Sequence, residues 1–160
     1  MIDKDEITTE ILALIDEWYQ RLSSLQKDVI SKRRNSQDRT IKQILGHTID
    51  STSNNIHRIV HLQNLSSPLI FPNYASFGNN DRWIAIQNYQ NEDWNNMIHL
   101  WKYSLLHLCH VIRNHDETRL SNEWIAGPDK NFTLEAMIKA FTPHLRLHLS
   151  EIEDLINSKE

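Results

Sequence analysis

Apolar residues recur along this chain at alternating spacings of three and four, the pattern of helices that bury one face. A first segment, roughly 6–26, carries Ile7, Ile11, Leu14, Ile15, Trp18, Leu22 and Leu25. A second, roughly 40–65, carries Ile41, Leu45, Thr48, Thr52, Ile56 and Ile59. A third, roughly 92–115, carries Trp94, Ile98, Trp101, Leu105, Leu108 and Ile112. A fourth, roughly 133–157, carries Leu134, Ile138, Phe141, Leu145, His148, Ile152 and Leu155. No segment shows sustained alternation, and Thr133 with Glu135 soon after is a helix-start signal. A short further helix is expected over 81–89. Two connections are long, 66–80 and 116–132, and both hold apolar residues such as Leu69, Phe71, Tyr74, Phe77 and Trp124. Such loops fold back over a bundle, either to cap its core or to roof a pocket. The pattern predicts an all-α four-helix bundle with long crossover loops, whose helices need not run simply up-down-up-down.

Composition narrows the class. The 160 residues, 39% hydrophobic and 24% charged, suit one domain over 1–160. Only 3 Gly and 4 Pro argue against a many-stranded β fold. A net charge of −4 without a basic stripe argues against nucleic acid as a partner. Lys32, Arg33, Arg34, Arg39 and Lys42 are the one basic cluster, read as a solvated connection between helices. No apolar run approaches membrane-spanning length. The acidic start lacks the basic and apolar regions of a signal peptide, and the single Cys109 allows no internal disulfide. These features predict a cytoplasmic protein without a membrane partner. Cys109, among Leu105, Leu108 and Ile112, is expected to fill core space.

The chemistry starts at His144 and His148. Four residues apart in a helix, they share one face, with His148 inside the apolar stripe and His144 on its border. Imidazoles facing hydrocarbon need partners, and a divalent metal would satisfy both. Nine histidines in 160 residues give about half such a pair by chance, and a rival pair, His57 and His61, does occur. The second segment adds evidence. His47, Ser51, Asn54, Arg58 and His61 recur at spacings of four and three, flanked by Asp50 and Asn55. This polar seam reads as a solvent face, a subunit interface or the wall of a polar site. The absence of Lys and Glu from Thr48 to Leu65 weakens the first reading. Two imidazoles from one helix and a third from its neighbour leave coordination positions open, the catalytic rather than the structural pattern for zinc.

The stretch from Thr40 to Arg58 resembles the second-helix motif of the DinB-like superfamily, in which a helix-borne His precedes small polar residues, as His47 precedes Ser51 to Asn55. The stretch Phe141-Thr-Pro-His-Leu-Arg-Leu-His-Leu-Ser-Glu-Ile resembles its closing His-x-x-x-His helix. Residues 81–90 with Asp93 and Trp94 are similar to its middle segment, so the likeness runs from Thr40 onward. It implies a metal-binding four-helix bundle, often a homodimer, with the metal triad on His47, His144 and His148. It implies one divalent ion, zinc foremost and nickel or iron as alternatives, since imidazole suits all three. The implied activity on a small molecule is metal-dependent hydrolysis or transfer of a low-molecular-weight thiol. The alternative is a non-catalytic metal-binding or stress-response interaction protein whose metal is structural.

One departure is Pro143, which removes a backbone hydrogen bond just before His144 and is expected to kink the helix. Leu145 follows His144 where a zincin places its glutamate base, which argues against that protease class. The remaining catalytic candidates are Asp50, bracing His47 or facing solvent, and Arg58, orienting an anionic group or pairing with an acid across a dimer. Glu151 reads equally as a surface acid. Trp83, Trp94, Trp101 and Trp124 read as core or loop packing, with Trp83 and Tyr89 as lesser candidates for a pocket wall. His99, His107, His110 and His115 have no coherent spacing with the triad.

Overall fold

Side-chain caps set where the long helices begin. Asp3, Thr40, Asp93 and Thr133 each accept the backbone N–H three residues on, and Thr40 with Gln43 closes a reciprocal capping box. In the computed structural model, which describes residues 2–72, 74 and 78–158, these caps open α1 (Lys4–Ser23), α3 (Ile41–Asn64), α5 (Trp94–Arg113) and α6 (Leu134–Asn157). The bounds lie within a few residues of those predicted. A short α2 (Lys27–Lys32), too brief to leave a periodic signal, follows α1, and α4 (Asn79–Gln87) occupies the place of the expected short helix. Among the described residues no helix is long and apolar enough to cross a membrane.

The four long helices form a ring in the order α1, α5, α3, α6. The main contacts are α5 against α1 and α3, and α6 against α3 and α1. Ile11, Leu22, Ile41, Leu45, Trp101, Leu105 and Ile152 meet at its centre with no exposed surface. Each such aliphatic side chain contributes roughly 1.5–3 kcal/mol on burial. Consecutive long helices α1 and α3 thus face each other diagonally, and the long connections make the necessary crossovers.

The all-α expectation holds for the bundle and needs one amendment. The two long loops meet as a small sheet of β1 (Leu69–Ile70), β2 (Glu123–Gly127) and β3 (Lys130–Thr133). β1 pairs in parallel with β2 through Leu69 and Trp124, and β2 pairs antiparallel with β3 through Trp124 and Phe132. Strands this short carry no readable alternation, and each pairs with residues remote in sequence or across a tight turn. Of the two roles open to these loops, they roof a cavity: Tyr74, Trp124 and Phe132 all line it. Phe77 lies outside the described residues.

The basic cluster is a solvated connection only in part: Lys32 and Arg34 are exposed, and the other three are engaged. Arg33 Nη1 donates to the carbonyls of Leu155 and Ile156 at 2.9 Å each, where a cation suits the negative end of α6. Arg39 is buried and donates through Nε and Nη2 to one oxygen of Asp81, at 3.1 and 2.5 Å. Lys42 is buried and donates to the carbonyl of Glu92. Unpaired carbonyls and a single carboxylate therefore draw in cations that composition alone leaves at the surface. Of the two packing roles read for Trp83, core or loop, it takes the second: it is 40% exposed and meets Tyr74 edge-on.

Gly46 fixes one contact of α3. A Cβ there would lie 2.2–2.6 Å from ring atoms of Tyr89, so only glycine admits this ring. Tyr89 in turn donates its hydroxyl to Asp50 Oδ1 at 2.7 Å.

Candidate metal centre

Because α3 lies beside α6, His47 meets the pair on the last helix. The three imidazoles of His47, His144 and His148 each offer a ligand atom, and these atoms lie within 4.8 Å of one another. Among the described residues, no other group of His, Cys, Asp and Glu converges in this way. His144 Nε2 and His148 Nε2 are 3.1 Å apart. Two nitrogens bound tetrahedrally at 2.0–2.1 Å from a zinc ion stand about 3.3 Å apart, so this pair is already at ligand spacing. The helix continues unbroken through Pro143, which leaves His144 and His148 on one face.

Two of the rings are held from behind. Glu151 Oε2 accepts from His148 Nδ1 at 2.9 Å. The Tyr74 hydroxyl lies 2.7 Å from His47 Nδ1 and 3.4 Å from the His47 carbonyl, and it accepts from Nδ1 in the tautomer that leaves Nε2 to a metal. Protonation at Nδ1 keeps the Nε2 lone pair of each ring free, and such partners orient a ligating histidine and raise its basicity. Ser51 Oγ stands 3.5 Å from Nδ1 of His144, the most exposed of the three. Burial, then the charges of His148, Arg39 and His144, brings His47 down to about 2. Burial and then His148, countered by Glu151, brings His144 down to about 4. Both are neutral at physiological pH, the protonation state that binds a metal. The donor set thus fits a borderline divalent cation.

The triad opens into a cavity of about 420 Å³ between α3, α6 and the sheet. Phe141, Trp124 and Phe132 give it an apolar wall, and Arg58, Asn55 and Ser51 bring polar groups from α3. Three members of the seam read from sequence wall this site, His47, Ser51 and Arg58, whereas Asn54 is buried outside the lining with its Nδ2 donating to the Asp50 carbonyl, and half-buried His61 lies beside Phe71.

The other candidates separate. Asp50 neither braces His47 nor faces solvent: it is 2% exposed and receives Tyr89 at 2.7 Å and Gln87 Nε2 at 2.7 Å, away from the cavity lining. Burial raises its pKa, opposed by those two hydrogen bonds. Arg58 lies inside the chain against Trp124, which removes the reading of a pairing across a dimer surface. His57 is exposed and its ring is 6.5 Å from that of His61, so the rival pair converges on nothing. Sequence reasoning passed over Tyr74 and undervalued Glu151. The latter was legible as a carboxylate three residues beyond His148 on the same helical face, whereas a loop tyrosine leaves no such signal.

Compared with known proteins, the sequence matches no family model and no curated protein. The likeness is in three dimensions. YfiT from Bacillus subtilis, described as a probable metal-dependent hydrolase with an unusual four-helix bundle topology, superposes with a TM-score of 0.81 at 16% identity, covering 97% of this chain and 87% of YfiT. A mycothiol-dependent maleylpyruvate isomerase superposes with a TM-score of 0.75 at 12% identity. That match covers 94% of this chain, which spans 61% of the isomerase. At these identities the likeness carries the fold, and the fold is the four-helix bundle that the DinB-like resemblance implied.

Proposed function

We propose that this chain is a metal-dependent enzyme acting on a small molecule, with one divalent cation held by His47, His144 and His148, zinc being the first choice. The observation that carries this is the opening of the three imidazoles into a cavity with no fourth His, Cys, Asp or Glu in the cluster among the described residues. A metal that only staples a fold is expected in a closed, four-ligand site. When bound, the cation supplies Lewis acidity, favouring the deprotonated form of a water or thiol that reaches it.

Between the two activities, transfer of a low-molecular-weight thiol is the better supported. A metal-bound water, starting from a far higher pKa than a thiol, gains more from a general base. The carboxylate lining the cavity, Glu151, is engaged with His148 Nδ1. A thiol is already acidic enough for a metal to hold it as thiolate without such a base, and one structural neighbour is mycothiol-dependent. The chain's own residues orient and exclude: Tyr74 and Glu151 hold protons at Nδ1 of His47 and His148, and Phe141, Trp124 and Phe132 keep bulk water from the pocket wall.

Elemental mass spectrometry on untagged protein, purified without a nickel column, tests the site. About one metal per chain, lost in His144→Ala, is the expected result; no metal, or metal retained in the variant, overturns it. Cobalt-loaded protein titrated with cysteine then tests the thiol reading. A thiolate-to-cobalt charge-transfer band supports it, and an unchanged spectrum returns the assignment to hydrolysis.

A further inference from the structure

The cavity at the three histidines has two unlike ends. α3 and α6 run antiparallel: Arg33, just ahead of α3, reaches the last carbonyls of α6, and Arg58, towards the end of α3, meets Trp124 of the sheet that leads into α6. Gln37, Arg39 and Asn80 therefore give one end of the lining its polar groups, and the first turns of α6 form the other end, beneath the sheet. Along α6, Ala140 precedes His144 by one turn and Ala136 by two, about 6 and 12 Å at 1.5 Å per residue. Both alanines are exposed and both line the cavity.

The end beneath the sheet is walled by rings that are held in place. Trp124 donates its Nε1–H to the Phe71 carbonyl at 3.2 Å. The Arg58 guanidinium lies over the Trp124 ring, with Cζ 4.1 Å from the centroid, and its Nε–Nη2 edge is sealed from solvent. Phe132, paired with Trp124 across β2 and β3, stacks on it with 6.0 Å between centroids and 27° between planes. Phe132 and Met137 lie either side of the Thr133 cap, at the two positions of a hydrophobic staple. Buried Phe141 completes the wall. Phe132 is only half-buried, so with the two alanines this end keeps apolar surface open to water. A hydrocarbon group that filled it would recover that surface, and the whole cavity, about 420 Å³, has the size of a small-molecule pocket.

We propose that the end of the cavity between Trp124, Phe132 and the first turns of α6 is a subsite for a hydrocarbon chain, and that the small molecule handled at the three-histidine site carries such a chain, long enough to pass Ala140 towards Ala136. This deepens the proposed function and rests on it for the role of the histidines, whereas the subsite itself does not need the metal.

The test is calorimetric titration of the zinc-loaded full chain, with and without a chelator. The probes are straight-chain hydroxamates of four, six and eight carbons, whose head binds metals, and the primary alcohols of the same lengths, whose head does not. Both series should tighten by about 4-fold for each methylene buried. The hydroxamates should bind more tightly than the alcohols, and the chelator should remove that advantage. Ala140→Phe, which fills the cavity one turn from His144, should abolish the gain beyond four carbons in both series. Ala136→Phe, a turn further on, should keep the gain from four to six carbons and lose that from six to eight. Both positions are exposed on α6, so thermal melts and zinc content of the variants should match the parent and separate blocking from misfolding. Constants that stay flat from four to eight carbons, or a gain left intact in Ala140→Phe, overturn the proposal. If the alcohols gain with length while the chelator changes nothing for the hydroxamates, the subsite stands and the metal-dependent reading fails. If the hydroxamates bind through the metal with no gain in length, the metal reading stands and the subsite fails.

Discussion

Glu151 gives a sharp test of how the centre is built. Its carboxylate is 2.9 Å from His148 Nδ1, with the histidine side chain 8% and the glutamate 27% exposed. Replacing it by Ala removes the acceptor that holds the ring and its tautomer; replacing it by Gln keeps an acceptor and removes the charge. Loss of such a partner costs ~10- to 100-fold in metal affinity, or about 1.4–2.7 kcal/mol. Glu151→Ala should lie near the upper figure and Glu151→Gln near the lower. Glu153, two residues on, is the internal control: it pairs with Arg21 at 2.7 Å on another face of α6. Competition against a chromophoric chelator at fixed pH reads the affinities directly. Melts at constant zinc read them again, because stabilisation by a ligand falls with its Kd. In a domain of this size the weaker binding should shrink the zinc-induced rise in Tm by roughly 3–10 °C. Unchanged zinc affinity in Glu151→Ala, or an equal loss in Glu153→Gln, would refute the assignment of Glu151 as the residue that positions His148.

Two further outcomes follow from packing. Gly46→Ala drives a methyl group into the Tyr89 ring and should cost about 1–3 kcal/mol in urea unfolding, with a wild-type midpoint contradicting the close approach. Cys109 is buried and its thiol is pushed up to about 11 by that burial. Raising the pH from 7 to 9 should therefore leave it slow to alkylate in the folded protein and fast in urea; rapid folded-state labelling would place it at the surface instead.

The sequence determined what depends on local periodicity. Helical spacing put His144 beside His148, put Glu151 one turn beyond, and drew the seam from His47 to Arg58, because residues three and four apart share a face in any α-helix. The start of the last helix was legible too, since Thr133 acts on an atom three residues away. Which seam faces which was not legible. In a simple up-down-up-down bundle α3 would stand diagonal to α6, and His47 would never reach His144 and His148. The crossovers that place them side by side are decided by the packing of whole helix faces. The same holds for Tyr74 and Trp124, whose positions rest on the pairing of two loops more than fifty residues apart, Leu69 with Trp124. It holds for Asp50 and Arg58, near neighbours on one polar helix. Tertiary packing turned Asp50 towards Tyr89 and Arg58 into the cavity, because a helix eight residues on has rotated about 80° and presents each side chain to a different part of the structure.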